Sequence, residues 1–449
     1  MKIRAGWFLL AAAVAGARPP EPAALVIMTA DQHSAYERTA QVVAAVDRLK
    51  ANNPGLPLAV LIDGDTLEQG NVVARRSGGA VDFAMLAALA RRAPTVLNLG
   101  NHESEFFDLA ETVKRVQAAG VTVLSDITAR ATGRPFVPAS TTLHLGRVDA
   151  VVVGVATDHL GTYRAAVRTT LAIPEPVAWA NENLPAMLTA GVAPIVLSHA
   201  GLVADRAILP QVPDGTLFAG AHDHLRFVQP FGRTVYVHSG SWNQFLSLAW
   251  LDRDGTGKWR WTVEQVPVDA TAPADPELAQ LITATRTRYL EAADGAVIGH
   301  SSRALSTDEA GRFVAAALRR ATGADAAFVG NTTFGGGLPA GDVTRESFDA
   351  CVRFDGSIWV AEIDGIRLRA ALAAANQGPA TPFADRRGAF VYADGPATID
   401  PAGRYRVATH DWIARDSRAN FGEPAITWRE QTGLRLKAIA AAALAGDGG

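Results

Sequence analysis

The 449-residue chain contains one cysteine, Cys351. No internal disulfide can form, so stability has to come from core packing, and a metal site built from several thiolates is excluded. Cys351 has apolar neighbours and reads as a core residue. Excess charge is also missing: the formal net charge is -3, which gives no electrostatic reason to expect a nucleic acid polymer or an anionic membrane as partner. A chain of this balance that handles anions must use local cations, metal ions or a few Arg. Beyond the first residues no apolar run is long enough to span a bilayer. What remains is ordinary for a packed globular protein, with 48% apolar and 19% charged residues, at a length that predicts two domains.

The opening stretch MKIRAGWFLLAAAVAGARPP has a charged start at Lys2 and Arg4, an apolar middle from Trp7 to Val14, and an A-x-A site at Ala15-Gly16-Ala17. That is the grammar of a secretory signal over 1–17. With no Cys after the cleavage site, a lipid anchor is not expected. The reading is of a secreted protein without a membrane anchor.

From Leu25 to about Val266 short β-rich runs alternate with helical patterns. The runs are LVIMTA (25–30), LAVLID (58–63), TVLNLG (95–100), VTVLSD (121–126), AVVVGVA (150–156), APIVLSH (193–199), TLFAGAH (216–222) and TVYVHSG (234–240). Continuous apolar runs bounded by Gly, Pro and Asp suit strands buried on both faces. Helical periodicity at 38–52 and 81–92 between them predicts an α/β core, and a hairpin is expected around Asp254-Gly255. Pro, Ala and Asp then crowd 267–276, a linker composition. Asp275-Pro276 is an N-cap and first-turn pair, and the apolar spacing of Leu278, Leu281, Ile282 and Tyr289 predicts a helix to about Ala293. The domains expected are 18–268, a linker helix over 269–296, and a mixed α/β domain over 297–449.

Five of the apolar runs end in residues that carry chemistry: Asp31-Gln32-His33, Asp63-Gly64-Asp65, Gly100-Asn101-His102-Glu103, Ser198-His199, and His222-Asp223-His224. In open α/β sheets ligands bind at the carboxyl ends of the strands. Imidazole, carboxylate and amide oxygen without thiolate suit Zn, Mn, Fe or Co. The donors are too many for one tetrahedral ion and enough for two, if one carboxylate is shared. Two such ions clamp the attacking and leaving oxygens of an in-line displacement, which is phosphoester chemistry.

The series DQH, GD, GNHE, SH and HDH resembles the signature of the metallophosphoesterase superfamily, and the second domain with the leader resembles its secreted bacterial 5'-nucleotidase family. The resemblance implies a β-sandwich flanked by helices, then a 5'-nucleotidase C-terminal-like substrate-binding domain. It implies one ion held by Asp31, His33 and His224, another by Asn101, His199 and His222, Asp65 bridging them, and a metal-bridging hydroxide as nucleophile. His102 would stabilise the transition state and leaving oxygen without ligating, supported by Glu105, where the family usually has Asp. His238, His159 and Asp158 lie on neighbouring strand ends and read as ordinary structural residues.

In the second domain the family pattern is met at Gly323-Ala324-Asp325 and at Gly341-Asp342-Val343-Thr344. The stretch NTTFGGGLP, opened by Asn331, puts Leu338 or Pro339 where the family has a phosphate-binding Arg. The resemblance implies Arg303 and Asn331 as substrate contacts, with Phe354 and Phe421 sandwiching a base; Arg353, where the family has Pro, is a candidate to replace the missing cation by a different route. The expected activity is metal-dependent hydrolysis of nucleotide phosphate esters by a periplasmic enzyme. Alternatives are a cyclic-nucleotide phosphodiesterase, a phosphomonoesterase for other substrates, and a periplasmic nucleotide-binding protein without catalysis.

Overall fold

The computed structural model describes residues 14–15, 18–189, 191–422 and 424–446. The expected leader over 1–17 lies outside them except for Val14–Ala15, whose backbone pairs antiparallel with Val263 and Glu264. Among the described residues no helix is long and apolar enough to cross a membrane.

The chain divides into two compact units. One comprises Met1–Leu67 with Ala80–Ile282, the other Glu68–Gly79 with Thr283–Gly449. The division falls inside the helix Pro276–Tyr289, and nothing in the sequence pattern signals that Glu68–Gly79 joins the second unit. That helix starts as the sequence predicts, with Leu278 N–H donating to Asp275 Oδ1 at 2.8 Å. It stops at Tyr289, four residues short of the expected Ala293.

In the first unit a seven-stranded and a six-stranded sheet share one core. The strands Ala24–Ala30, Leu58–Asp63, Thr95–Asn98 and Thr122–Leu124 are parallel neighbours in the first sheet. Val148–Val155, Ala193–Ser198, Leu217–Gly220 and Thr234–Ser239 are parallel neighbours in the second. Strand periodicity explains the packing: Ala24, Val26 and Met28 from one sheet meet Val152, Ile195, Leu197, Leu217 and Val237 from the other. Leu25 and Ile27, on the opposite face, are also buried, so each run is apolar throughout. The α/β expectation holds, in the form of a β-sandwich flanked by helices. Two edge strands, Ser140–Leu145 and Arg226–Phe231, were not anticipated; half-exposed and partly polar, they lack the continuous apolar signal. The hairpin forms as expected between Phe245–Arg253 and Trp259–Pro267.

In the second unit a five-stranded sheet holds Ala326–Gly330 between Val391–Asp394 and Arg404–His410. Its helix Thr307–Thr322 begins with a capping box between Ser306 and Glu309 and ends at Gly323 in the left-handed conformation. Cys351 is buried and its thiol is pushed up to about 12 by that burial, consistent with an inert core thiol.

His410 ends its strand buried, accepting the Gly330 N–H at 3.2 Å. Burial lowers its pKa from 6.5 to about 4. The folded chain therefore keeps it neutral where the unfolded chain takes up a proton. Its contribution is fully present above pH 6.5 and is lost as pH falls towards 4, by about 3 kcal/mol. His410→Gln is expected to flatten the stability change across that window relative to wild type in urea titrations. An identical pH slope in the two proteins would contradict the assignment.

Candidate metal centre

The candidate ligands sit where parallel strands of both sheets end. Backbone pairing continues past the strand ends: Asp31, His33 and Ser34 donate N–H to the carbonyls of Gly64, Asp65 and Thr66 at 3.1, 2.8 and 2.9 Å. This ties the Asp31 loop to the Asp65 loop. Two glycines allow the close approach. A Cβ on Gly64 would lie 2.5 Å from His199 Nδ1, and one on Gly100 would lie 2.3 Å from Asp65 Oδ1.

The backbone here is strained. Nine non-glycine residues among those described have positive φ, and five of them are Asp31, His33, Asp65, His222 and His224. Three more, Ser34, Trp242 and Asn243, are their neighbours in the structure, leaving only Asn376 elsewhere. Left-handed conformations for residues with side chains cost about 1–3 kcal/mol each and concentrate at functional sites.

Three overlapping groups of side chains have ligand-capable atoms within 4.8 Å of one another: Asp31, His33 and His224; His33, Asp65 and His102; Asp65, His199 and His222. Asp65 is common to two of them. His199 Nε2 is 3.0 Å from Asp65 Oδ2 and 3.9 Å from Asp31 Oδ1. His33 Nε2 is 2.8 Å from His224 Nε2. Asp31 Oδ1 accepts the His222 N–H at 3.1 Å, and Asp65 Oδ1 accepts the His102 N–H at 2.8 Å. Asn101 is buried between Gly100 and His102, its Nδ2 reaching the Thr162 carbonyl at 3.4 Å.

The electrostatics sort these groups. Burial alone would raise the Asp65 carboxyl, but His199 and His102, with the hydrogen bond from His199, hold it well below the usual carboxylate range. Burial pushes Asp31 up, opposed by His199. His199 is drawn well above the usual imidazole value because its burial is outweighed by Asp65 and Asp31. Burial brings both His222 and His224 down to about 3, so their nitrogens keep free lone pairs at neutral pH.

This donor set fits a divalent cation. His199 Nδ1 lies 2.8 Å from the Asp63 carbonyl, which assigns its proton there and turns Nε2 towards the carboxylates, as in imidazoles that bind metal. Asn101 Oδ1 and His224 Nδ1 are buried without a hydrogen-bond partner, a cost that a polar environment does not usually leave standing. Imidazole, carboxylate and amide oxygen are the ligands of Zn, Mn, Fe or Co.

His102 Nδ1 lies 3.1 Å from Glu105 Oε1. The longer Glu side chain therefore reaches the His despite its extra methylene. His102 comes closer to the ligand set than the resemblance implies, since one of its nitrogens groups with His33 and Asp65.

Residues given no role in the sequence reading support the loops. Glu103, fully buried, accepts the N–H groups of Asp65, Thr66 and Gly100 at 3.1, 2.7 and 2.7 Å. Asn98 Nδ2 donates to Asp63 Oδ1 and to the Val155 and Leu197 carbonyls, linking the two sheets. Trp242 stacks on His33, with ring centroids 4.6 Å apart at 28°. Spacing could have drawn attention to Glu103, which lies inside the quoted motif; nothing in the sequence marks Trp242. His238 belongs to a buried network with Tyr236 and Asp205, while Asp158 and His159 are exposed.

The expected substrate contacts of the second unit are placed differently. Arg353 is buried, with Nε 3.1 Å from Glu68 Oε2, so its charge is matched inside the unit. Phe421 is a core residue: it packs edge-on against Phe328 and Trp428 at centroid distances of 5.0 and 5.5 Å and offers no open face to a base. Asn331 is buried, its Oδ1 accepting the Phe390 N–H at 2.9 Å. Arg303 is exposed and pairs with Glu309 of the capping box at 2.7 Å. Phe354 is half-buried.

Comparison with known proteins agrees with this architecture. Residues 290–421 match the family described as the 5'-nucleotidase C-terminal domain. Among solved structures, a 5'-nucleotidase precursor from Thermus thermophilus is similar over 95% of this chain and 96% of its own, with a TM-score of 0.66 and 19% identity. The sulfate thiohydrolase SoxB, also from Thermus thermophilus, is similar over 96% of each chain, with a TM-score of 0.67 and 16% identity. A 5'-nucleotidase from Candida albicans is similar over 96% of this chain and 99% of its own, with a TM-score of 0.63 and 12% identity. No curated protein matches the sequence. The class is thus a β-sandwich flanked by helices and followed by a second α/β domain, the fold of these solved structures. More narrowly, the chain has the fold of the 5'-nucleotidase family, and its residues 290–421 carry that family's C-terminal domain.

Proposed function

We propose that the chain is a metal-dependent hydrolase of phosphate esters, with nucleotides as its substrates. One cation is assigned to Asp31, His33 and His224, a second to Asn101, His199 and His222, and Asp65 is shared. The observation that carries this reading is the overlap of three ligand-capable groups, two of them sharing the ionised Asp65 carboxylate. Bound divalent cations supply Lewis-acid polarisation and water activation near neutral pH. The chain's own residues then divide the remaining work. Asp65 keeps a negative charge at the centre, and His102, oriented through Nδ1 by Glu105, can present its other nitrogen to a substrate oxygen. The C-terminal domain family supports a nucleotide substrate, and the leader supports secretion.

A second reading is favoured by the second unit. The family's Arg position falls at buried Leu338 or exposed Pro339, neither a cation, Phe421 is buried, and Arg353 is paired with Glu68. Three contacts that would hold a nucleotide are thereby altered, which suits an ester without a nucleoside, of phosphate or of a sulfur oxyanion.

After chelation, hydrolysis of p-nitrophenyl phosphate is expected to vanish and to return with Mn or Co. Activity untouched by chelation would remove the metal-dependent mechanism, and activity absent with every metal would remove the enzyme reading in favour of a binding protein. A panel of AMP, ADP, cyclic nucleotides, sugar phosphates and thiosulfate esters then separates the two substrate readings.

A further inference from the structure

Two consecutive residues, Trp242 and Asn243, follow the strand Thr234–Ser239 in left-handed conformations, with φ of 60° and 53°. Both are 2% exposed. Asn tolerates this region through its short polar side chain, but a bulky residue such as Trp rarely adopts it. The strain has to be offset by what the turn holds.

Its contacts gather on one group of candidate ligands. The Trp242 N–H donates to the Asp31 carbonyl at 2.9 Å. The indole stacks on the His33 ring and meets the His224 ring edge-on, with centroids 5.5 Å apart at 89°. Trp242 thus touches Asp31, His33 and His224, through backbone in the first case and ring faces in the others. The Asn243 side chain fastens the loop that carries two of them. Its Oδ1 accepts from Gln32 Nε2 at 3.1 Å, and its Nδ2 donates to the Ala35 carbonyl and Thr39 Oγ1 at 3.3 and 3.2 Å.

We propose that the Trp242–Asn243 turn is a positioning element for the cation held by Asp31, His33 and His224, and that it sets the affinity of this position separately from the other. The inference rests on the two-cation reading given above. An imidazole free to rotate about χ1 and χ2 loses rotamer freedom when it ligates. A flat, rigid indole against its face restricts that freedom in advance, so less entropy is lost on binding. Supports of this kind typically change metal affinity by about 10–100-fold.

The test is calorimetric titration of the metal-free full chain with Mn, together with Co titration followed by tryptophan fluorescence. Wild type is expected to bind two equivalents. Trp242→Leu keeps an apolar side chain without a stacking face, and should weaken one equivalent about 10–100-fold while the other keeps wild-type affinity. Trp242→Phe, which retains a ring, should recover most of the loss. Asn243→Gly adopts the same backbone freely but loses the bonds to Gln32, Ala35 and Thr39, and should weaken the same equivalent. Part of the Co-induced quenching in wild type should be missing in Trp242→Phe. Two equivalents at wild-type affinity in Trp242→Leu would overturn the proposal and leave the two-cation reading standing. Equal weakening of both equivalents would overturn its selectivity, and a Phe variant as weak as Leu would overturn the stacking argument. Fewer than two equivalents in wild type would instead remove the reading on which it rests.

Discussion

Asp65→Asn is expected to lower turnover by about a thousandfold or more and to weaken both bound cations together. The substitution is nearly isosteric, so the fold is expected to survive and the effect is one of charge. Asp65 Oδ1 accepts the His102 N–H and Oδ2 faces His199 Nε2. An amide can satisfy only one of these with oxygen, and it removes the anion to which His199 owes its raised pKa. A shared carboxylate lost to a neutral amide is felt at both positions, whereas loss of an outer ligand such as His224 is felt at one. Elemental analysis after gel filtration, beside p-nitrophenyl phosphate turnover, reads the two quantities separately. Two retained equivalents and turnover within tenfold of wild type would take Asp65 out of the shared position.

The residues that meet around Asp65 were legible in the sequence because each follows a run of apolar residues. Parallel neighbours bring their carboxyl ends to one edge of the sheet, where ligands bind, and five runs ended in Asp, His or Asn. The strand positions followed for the same reason, and the edge strands Ser140–Leu145 and Arg226–Phe231 escaped because one of their faces meets solvent. The left-handed backbone at Asp31, His33, Asp65, His222 and His224 was not legible. It is imposed by pairing between loops distant in sequence, such as His33 with Asp65, which overrides local preference. Glu103 and Trp242 were missed for a related reason. Their partners are backbone amides and ring faces contributed by other loops, and no periodicity records those. In the second unit, residues placed by resemblance alone fared differently. Phe421, expected as a second stacking ring, fills the core beside Phe328, and Arg353, expected as a replacement cation where the family has Pro, faces Glu68. An aligned residue type does not carry its surroundings with it.

His102→Ala is expected to separate catalysis from metal binding. Positioned proton donors and acceptors contribute about 10²–10⁴-fold, and turnover should fall within that range while both cations stay bound. The ring of His102 is 14% exposed, against 1% for His33 and 0% for His199, which suits a group that meets substrate. Its Nδ1 lies 3.1 Å from the carboxylate of Glu105, whose side chain is 7% exposed, which leaves the second ring nitrogen for chemistry. Glu105→Ala leaves that nitrogen in place but frees the ring to turn, and its loss should be about tenfold smaller than that of His102→Ala. Glu105→Asp restores the carboxylate on a shorter stem and should recover part of the rate. The grouping of His102 with His33 and Asp65 makes one outcome decisive. If His102→Ala sheds a cation as readily as Asp65→Asn does, His102 is a ligand, and the transition-state role passes to another group.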